Sequence, residues 1–161
     1  ARALKAIASA EYVLGHAGYL EPLEPLLTGK NVVSSSMGKE VDRARQAVGL
    51  ARSHAVAIVS GGDAGVYGMA SIVLEVLEHS GELVDVEVIP GVTAANAAAS
   101  RAGSPLSGDF AVISLSDLLT PLEVIEKRLD AQRIALRAVQ RVDQDHMGES
   151  FQVLQAFSIL R

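Results

Sequence analysis

Apolar residues recur along the first hundred positions with a period that switches repeatedly between helix and strand. Leu4, Ile7 and Ala8 fall at helical spacing, so 2–10 reads as the back part of a helix. Tyr12-Val13-Leu14-Gly15 is a short strand. Leu20, Leu23, Leu26 and Leu27 surround Pro22 and Pro25, which predicts a short, interrupted helix over 19–27, because proline removes a backbone donor. Asn31–Ser35 is the next strand. Over 40–52, Val41, Ala44, Val48 and Ala51 form one apolar stripe with charges opposite, the pattern of a surface helix. Ala55–Ser60 is a continuous apolar run, as in a strand covered on both faces. Met69, Ile72, Val73, Val76 and Leu77 give the spacing of a helix packed on a sheet over 69–79. Val84–Ile89 alternates as a strand, and Thr93–Arg101 is Ala-rich and helical.

Strands and helices thus alternate up to residue 105, which predicts an α/β fold with a mostly parallel sheet and helices on both faces. Gly103–Asp109 is rich in Gly, Ser and Pro and reads as a linker. Phe110–Leu115 then predicts a strand, and Thr120–Leu129 a helix with Leu122, Ile125 and Leu129 on one face. Thr120 stands at the capping position, Pro121 in the first turn and Glu123 where a capping box places its acid. The expected organisation is an N-terminal α/β lobe, 1–108, and part of a second lobe, 109–161.

Composition narrows the function classes. The chain has 161 residues and a net charge of −5, and no basic stripe of the kind a nucleic-acid binder carries. It has no cysteine, so disulfides and thiolate metal sites are excluded. No apolar run reaches the length of a membrane span, and a soluble cytoplasmic protein is expected. The four histidines, His16, His54, His79 and His146, show no metal-ligand spacing, and no metal is expected. No Ser-His-Asp or Gly-x-Ser-x-Gly arrangement is visible.

Three segments could carry chemistry. Ser60-Gly61-Gly62-Asp63-Ala64-Gly65 follows the buried strand, where an open parallel sheet binds its ligands. Glycine lets backbone N–H groups approach a ligand, and Asp63 adds one carboxylate suited to an amino group or a hydroxyl pair; a plain turn explains the same residues. The segment is neither a phosphate loop nor a dinucleotide fingerprint. In Ile89-Pro90-Gly91-Val92-Thr93-Ala94, Pro90 ends a strand and Thr93 is placed either to cap the helix or, with Ala94, to line a cleft. Ser114-Leu115-Ser116-Asp117 puts polar groups after the strand beyond the linker: a capping turn, or the polar edge of a second lobe.

Taken together these motifs resemble the precorrin-3B C(17)-methyltransferases of cobalamin biosynthesis, members of the tetrapyrrole methylase superfamily. The resemblance runs through Ser34–Glu40, Ile58–Ala70, Val88–Ala99 and Asp109–Pro121, in order, over about residues 2 to 130. The Gly-Asp loop and the Pro-Gly-Val-Thr-Ala turn belong to the wider superfamily. Val66-Tyr67-Gly68-Met69 and Ser114 to Pro121 point to this branch.

The resemblance implies a two-lobed homodimeric enzyme that binds S-adenosylmethionine through Gly61, Gly62, Asp63, Thr93 and Ala94, with Val66 and Tyr67 adjoining. Ser114, Ser116 and Asp117 fall on the substrate side. The implied reaction is methyl transfer to ring carbon 17 of precorrin-3B, or its cobalt analogue, with ring contraction; no acid or base is assigned, and Asp117 is a candidate by position alone. Other tetrapyrrole methylases, of the C(11) or uroporphyrinogen type, and a non-catalytic cofactor-binding remnant are the alternatives. The family has Pro where this chain has Ala64. It also carries a Gly-x-Gly-Pro-Gly loop before the first matched residue and a Tyr-Asn-Pro-Arg segment after Asp130, neither of which occurs in this sequence. On that reading the 161-residue chain, if it is the whole molecule, is expected to bind cofactor weakly or not at all and to give no methylated product, and restoring the missing segments is expected to recover turnover.

Overall fold

A computed structural model describes residues 2–107, 110, 112–113, 120–131 and 154–160 of the chain, the side chains of 129–131 and 154–160 excepted. In chain order the elements are α1 (Arg2–Ser9), β1 (Tyr12–His16), α2 (Ala17–Leu20), a 3-10 helix (Glu21–Leu26), β2 (Asn31–Ser35), α3 (Glu40–Ala51), β3 (Val56–Gly61), α4 (Ala70–Ser80), β4 (Val86–Ile89), α5 (Ala94–Arg101), α6 (Leu122–Ala131) and β5 (Leu154–Leu160). Ala1–Val92 with Val153–Arg161 makes one compact unit and Thr93–Gln152 a second.

The first unit is built on a five-stranded sheet of order β2-β1-β3-β5-β4. β1 pairs in parallel with β2, Val13 opposite Val32, and with β3, Val13 opposite Ala57. β5 runs antiparallel to both β3 and β4, with Leu160 opposite Val56 and Val86. The sequence reading gave 131–161 no strand, so β5 is an addition to the expected sheet.

Period-two alternation then sorts the side chains into two cores. Val13, Ala57 and Val59 join Ile7, Leu20 and Leu23 beneath α1 and the 3-10 helix. Leu14, Val56 and Ile58 face Ala44, Ala47, Val48, Ala51 and Val73 of α3 and α4. β3 is buried from Val56 to Ser60, which is why its sequence is a continuous apolar run. Proline at the start of the 3-10 helix and Pro25 inside it keep 21–26 from continuing α2. Lys30 Nζ donates to the carbonyls of Ala8 (2.9 Å) and Ala10 (2.8 Å), closing the exposed end of α1.

Two details depart from the sequence reading. The buried side of α3 is Arg43, Ala44, Ala47, Val48 and Ala51, while Val41 is exposed. The small residues Ala44, Ala47 and Ala51 thus join the core beneath the sheet, and one valine faces solvent. Of the strand expected over 110–115, residues 111, 114 and 115 lie outside the described residues, and Phe110, Val112 and Ile113 belong to no strand, with Phe110 and Val112 exposed.

In the second unit, Thr93 Oγ1 accepts from Asn96 N at 3.2 Å and caps α5. In α6, Val124 and Ile125 donate to the carbonyl of Pro121, and Ile125 is buried.

At the amino end of β1, Glu11 carries an acid-sensitive contact. Ala55 N donates to Glu11 Oε1 at 3.2 Å, and His54 Nδ1 lies 3.2 Å from Oε2. The backbone bond first, and then the histidine, hold the carboxyl below its ordinary range. A carboxyl whose folded pKa is lowered contributes stability above its unfolded pKa and loses it as pH falls through the folded value. Glu11→Gln is therefore expected to flatten the acid side of a plot of Tm against pH; an unchanged acid limb would contradict it.

Candidate functional site

The carboxyl ends of β1, β2 and β3 and the segments that leave them hold a set of tightly constrained residues. β3 delivers Ser60, which is buried, and Gly61. A Cβ on Gly61 would lie 2.8 and 2.9 Å from two ring carbons of Tyr19 and 3.1 Å from its hydroxyl oxygen, so here glycine makes room for Tyr19. Tyr19 meets His16 edge-on, 5.4 Å between centroids, and His16 Nδ1 accepts from Gly18 N at 3.1 Å. Neither His16 nor Tyr19 was singled out from the sequence for this site. The only signal is their place at and just after the end of β1, the strand beside β3.

Gly62 follows with φ +69°, a left-handed conformation that other residues adopt at a cost, and its missing Cβ faces the carbonyl of Val92 at 3.6 Å. Asp63 then turns its carboxylate inward. Oδ1 accepts from Gly65 N at 2.8 Å and Oδ2 from Gly91 N at 2.8 Å. One side chain thereby ties the Gly-rich loop to the Pro-Gly turn, two motifs separated by 28 residues. The carboxylate that the sequence suggested for a ligand is thus used by backbone, although each oxygen keeps a further lone pair.

The rest of the loop is equally determined. Val66 N donates to the carbonyl of Asp63 at 3.2 Å, and Ala64 is buried. Val66 and Tyr67 stand out into solvent, 42% and 69% exposed, and Tyr67 has φ +52°. Gly68 packs against the carbonyls of Ala64 and Asp63. Ala70 N donates to Ala64 O at 3.0 Å, and Met69 N to Ser60 Oγ at 3.3 Å.

The structure therefore gathers Gly61, Gly62, Asp63, Val66 and Tyr67 in one loop, with Gly91 and Val92 against it. Thr93 and Ala94 follow directly in the chain, Thr93 as the cap of α5. Ser114, Ser116 and Asp117 lie outside the described residues. Among the described residues no group of three or more His, Asp or Glu could hold a metal ion, and no helix is long and apolar enough to cross a membrane.

Replacing Asp63 by Asn tests the tie directly. The amide would turn an NH2 toward one of two N–H donors, leaving that donor without an acceptor at a cost of about 1–3 kcal/mol. We expect a lower Tm and faster hydrogen exchange at Gly91 N than in the parent chain; unchanged exchange there would show that Asp63 does not hold the turn.

A Gly-rich loop after a buried parallel strand, pinned to a Pro-Gly turn after another strand, places this chain among α/β proteins that bind ligands at strand ends. Residues 1–147 match the tetrapyrrole (corrin/porphyrin) methylases, and the chain belongs to that family. It is 49% identical over 128 residues to the cobalamin biosynthesis protein CbiHC of Archaeoglobus fulgidus, covering 80% of this chain and 29% of that protein. It is 49% identical over 132 residues to a probable cobalt-factor III C(17)-methyltransferase of Methanothermobacter thermautotrophicus, covering 81% of this chain and 37% of that one. A probable cobalt-factor III C(17)-methyltransferase of Salmonella typhimurium is 42% identical over 159 residues, 98% of this chain and 66% of that protein. The chain thus spans less than two thirds of the length of these curated relatives. The crystal structure of the methyltransferase CobJ superposes with a TM-score of 0.72 at 27% identity, covering 97% of this chain and 84% of that one. These findings agree with the resemblance read from the motifs and with an α/β fold of the tetrapyrrole methylase type.

Proposed function

We propose that this chain serves S-adenosylmethionine-dependent methyl transfer to ring carbon 17 of precorrin-3B, or of its cobalt-containing analogue, with contraction of the ring, in cobalamin biosynthesis. The observation that carries the reading is the Asp63 tie, which brings together two motifs that the resemblance assigns to the cofactor. The names of the relatives, cobalt-factor III C(17)-methyltransferase among them, support the same substrate.

The residues present fit the cofactor. Gly62 offers backbone without a side chain, and its left-handed φ favours glycine there. Val66 and Tyr67 supply exposed apolar and aromatic surface on the same loop. We assign cofactor contacts to Gly61, Gly62, Asp63, Val66, Tyr67, Thr93 and Ala94, and the substrate side to Ser114, Ser116 and Asp117. The lobes meeting at residue 108, the cytoplasmic location and a homodimer belong to the same proposal.

When bound, S-adenosylmethionine supplies a methyl group already activated on a sulfonium. The task of the chain is then to position and to exclude water, not to make a nucleophile. Asp63 fixes the loop against the turn, Gly62 leaves its backbone reachable, and Val66 and Tyr67 cover apolar surface.

Mass spectrometry and absorbance of precorrin-3B or its cobalt analogue, incubated with S-adenosylmethionine and an enzyme in which this chain is joined to the family's Gly-x-Gly-Pro-Gly and Tyr-Asn-Pro-Arg segments, test the proposal. One added methyl group at carbon 17 with the spectrum of a contracted ring is the expected result. Methylation at another carbon would favour the C(11) or uroporphyrinogen type. An unmodified substrate with cofactor bound would favour a binding module.

A further inference from the structure

Arg43 is a charged residue on the buried face of α3, only 4% exposed. Burial of a cation is costly unless its donors are satisfied, and such groups are ordinarily paired with a carboxylate. Among the described residues its side-chain partners are all neutral. Nε donates to Ser35 Oγ at 2.7 Å, Nη2 to the carbonyl of Ser36 at 3.1 Å and Nη1 to Met69 Sδ at 3.3 Å. Ser35 ends β2, Ser36 begins the segment that follows it, and Met69 closes the loop that leaves β3. One guanidinium therefore joins the end of β2 to the far end of the loop that leaves β3, although β1 lies between these two strands in the sheet.

The loop it reaches is under strain. Tyr67 sits at φ +52° with most of its side chain exposed, and a non-glycine residue holds such a conformation only where its surroundings over-determine it. On the carboxyl side of Tyr67 the nearest anchors are Gly68, packed on the loop's own backbone, and Met69. Met69 is held at both ends: its N–H by Ser60 Oγ and its sulfur by Arg43. Of these, Arg43 alone reaches the loop from another layer of the fold.

We propose that Arg43 is a positioning residue for the 61–69 loop: through Met69 it fixes the strained Tyr67 and so sets the affinity of the loop for its ligand. It touches no ligand itself. The second half of this inference rests on the cofactor reading above; the first half, the hold on Tyr67, does not.

The test uses the whole chain labelled with 3-fluorotyrosine, which gives one fluorine resonance for each of Tyr12, Tyr19 and Tyr67. Arg43→Met and Met69→Leu remove the contact from either side, and Ser35→Ala loosens the guanidinium. The expected result is a shifted or broadened Tyr67 resonance in each variant with Tyr12 and Tyr19 unmoved. S-adenosylhomocysteine, titrated calorimetrically, should bind Arg43→Met and Met69→Leu about tenfold more weakly, the scale of one hydrogen bond to a charged group. Should Arg43→Met fail to fold, the other two variants decide. A Tyr67 resonance unmoved by them, or all three resonances moving together with Tm, overturns the proposal. If the parent chain binds no S-adenosylhomocysteine, the cofactor reading falls, and the Tyr67 resonance still decides the role of Arg43. If the parent binds and the variants bind equally well, Arg43 does not set affinity.

Discussion

Gly62→Val should abolish measurable binding of S-adenosylhomocysteine. The residue sits at φ +69°, where a Cβ costs about 1–2 kcal/mol and a β-branched side chain is a genuine outlier. A Cβ there would stand 3.6 Å from the carbonyl of Val92, ordinary contact, so alanine meets the backbone penalty alone. The two γ carbons of valine add bulk where the proposed site needs bare backbone. Gly62→Ala is therefore expected to weaken binding and Gly62→Val to eliminate it, with Tm falling by roughly 2–4 °C for each kcal/mol lost. Calorimetric titration with thermal unfolding of the same samples separates the two effects. Undiminished binding by the valine variant would remove Gly62 from the site.

Gly68→Ala should be the most damaging single methyl group in the loop. Its Cβ would fall 2.6 Å from the carbonyl oxygen of Ala64, 2.7 Å from that of Asp63 and 2.8 Å from Ala64 Cα. All three atoms are backbone, so no rotamer change relieves the contact. The loop must open, and the bonds from Ala70 N to Ala64 O and from Met69 N to Ser60 Oγ lie directly in the path. Overpacking of this kind costs about 1–3 kcal/mol. Gly49→Ala is the control: it lies within α3 with nothing within 4 Å of the added carbon, and is expected to stabilise by about 0.5–1 kcal/mol. Thermal unfolding of both variants checks the pair; a Gly68→Ala protein as stable as the parent would contradict the loop geometry described.

Periodicity made most of the first unit legible. β2 spans the five residues expected of it, and β1, β3 and the helices differ only at their ends. Those elements carry their instructions locally, in apolar spacing and in prolines. β5 was not legible. Leu154, Ala156 and Leu160 stand on one parity and Phe157 and Ile159 on the other, so no alternation marks the segment. Its place between β3 and β4 is a pairing across most of the chain, which no window of sequence contains.

The site was legible as motifs and illegible as contacts. Gly61 to Tyr67 and the Pro-Gly turn could be named from the sequence, but the bond from Gly91 N to Asp63 could not, because nothing local distinguishes a carboxylate that staples backbone from one that awaits a ligand. Arg43 left a signal that was passed over: it lies four and eight positions before Ala47 and Ala51, on the face that buries. A charge on the apolar side of an amphipathic helix is the informative exception to its pattern.

Backbone amide shifts of the isotopically labelled chain, followed during titration with S-adenosylhomocysteine, test the central claim most directly. The account expects saturable shifts concentrated at Gly61, Gly62, Asp63, Val66 and Tyr67 and at Gly91 to Ala94, with the amino-end residues Glu11 and His54 unmoved. Saturable shifts centred elsewhere, with the 61–67 loop silent, would contradict it.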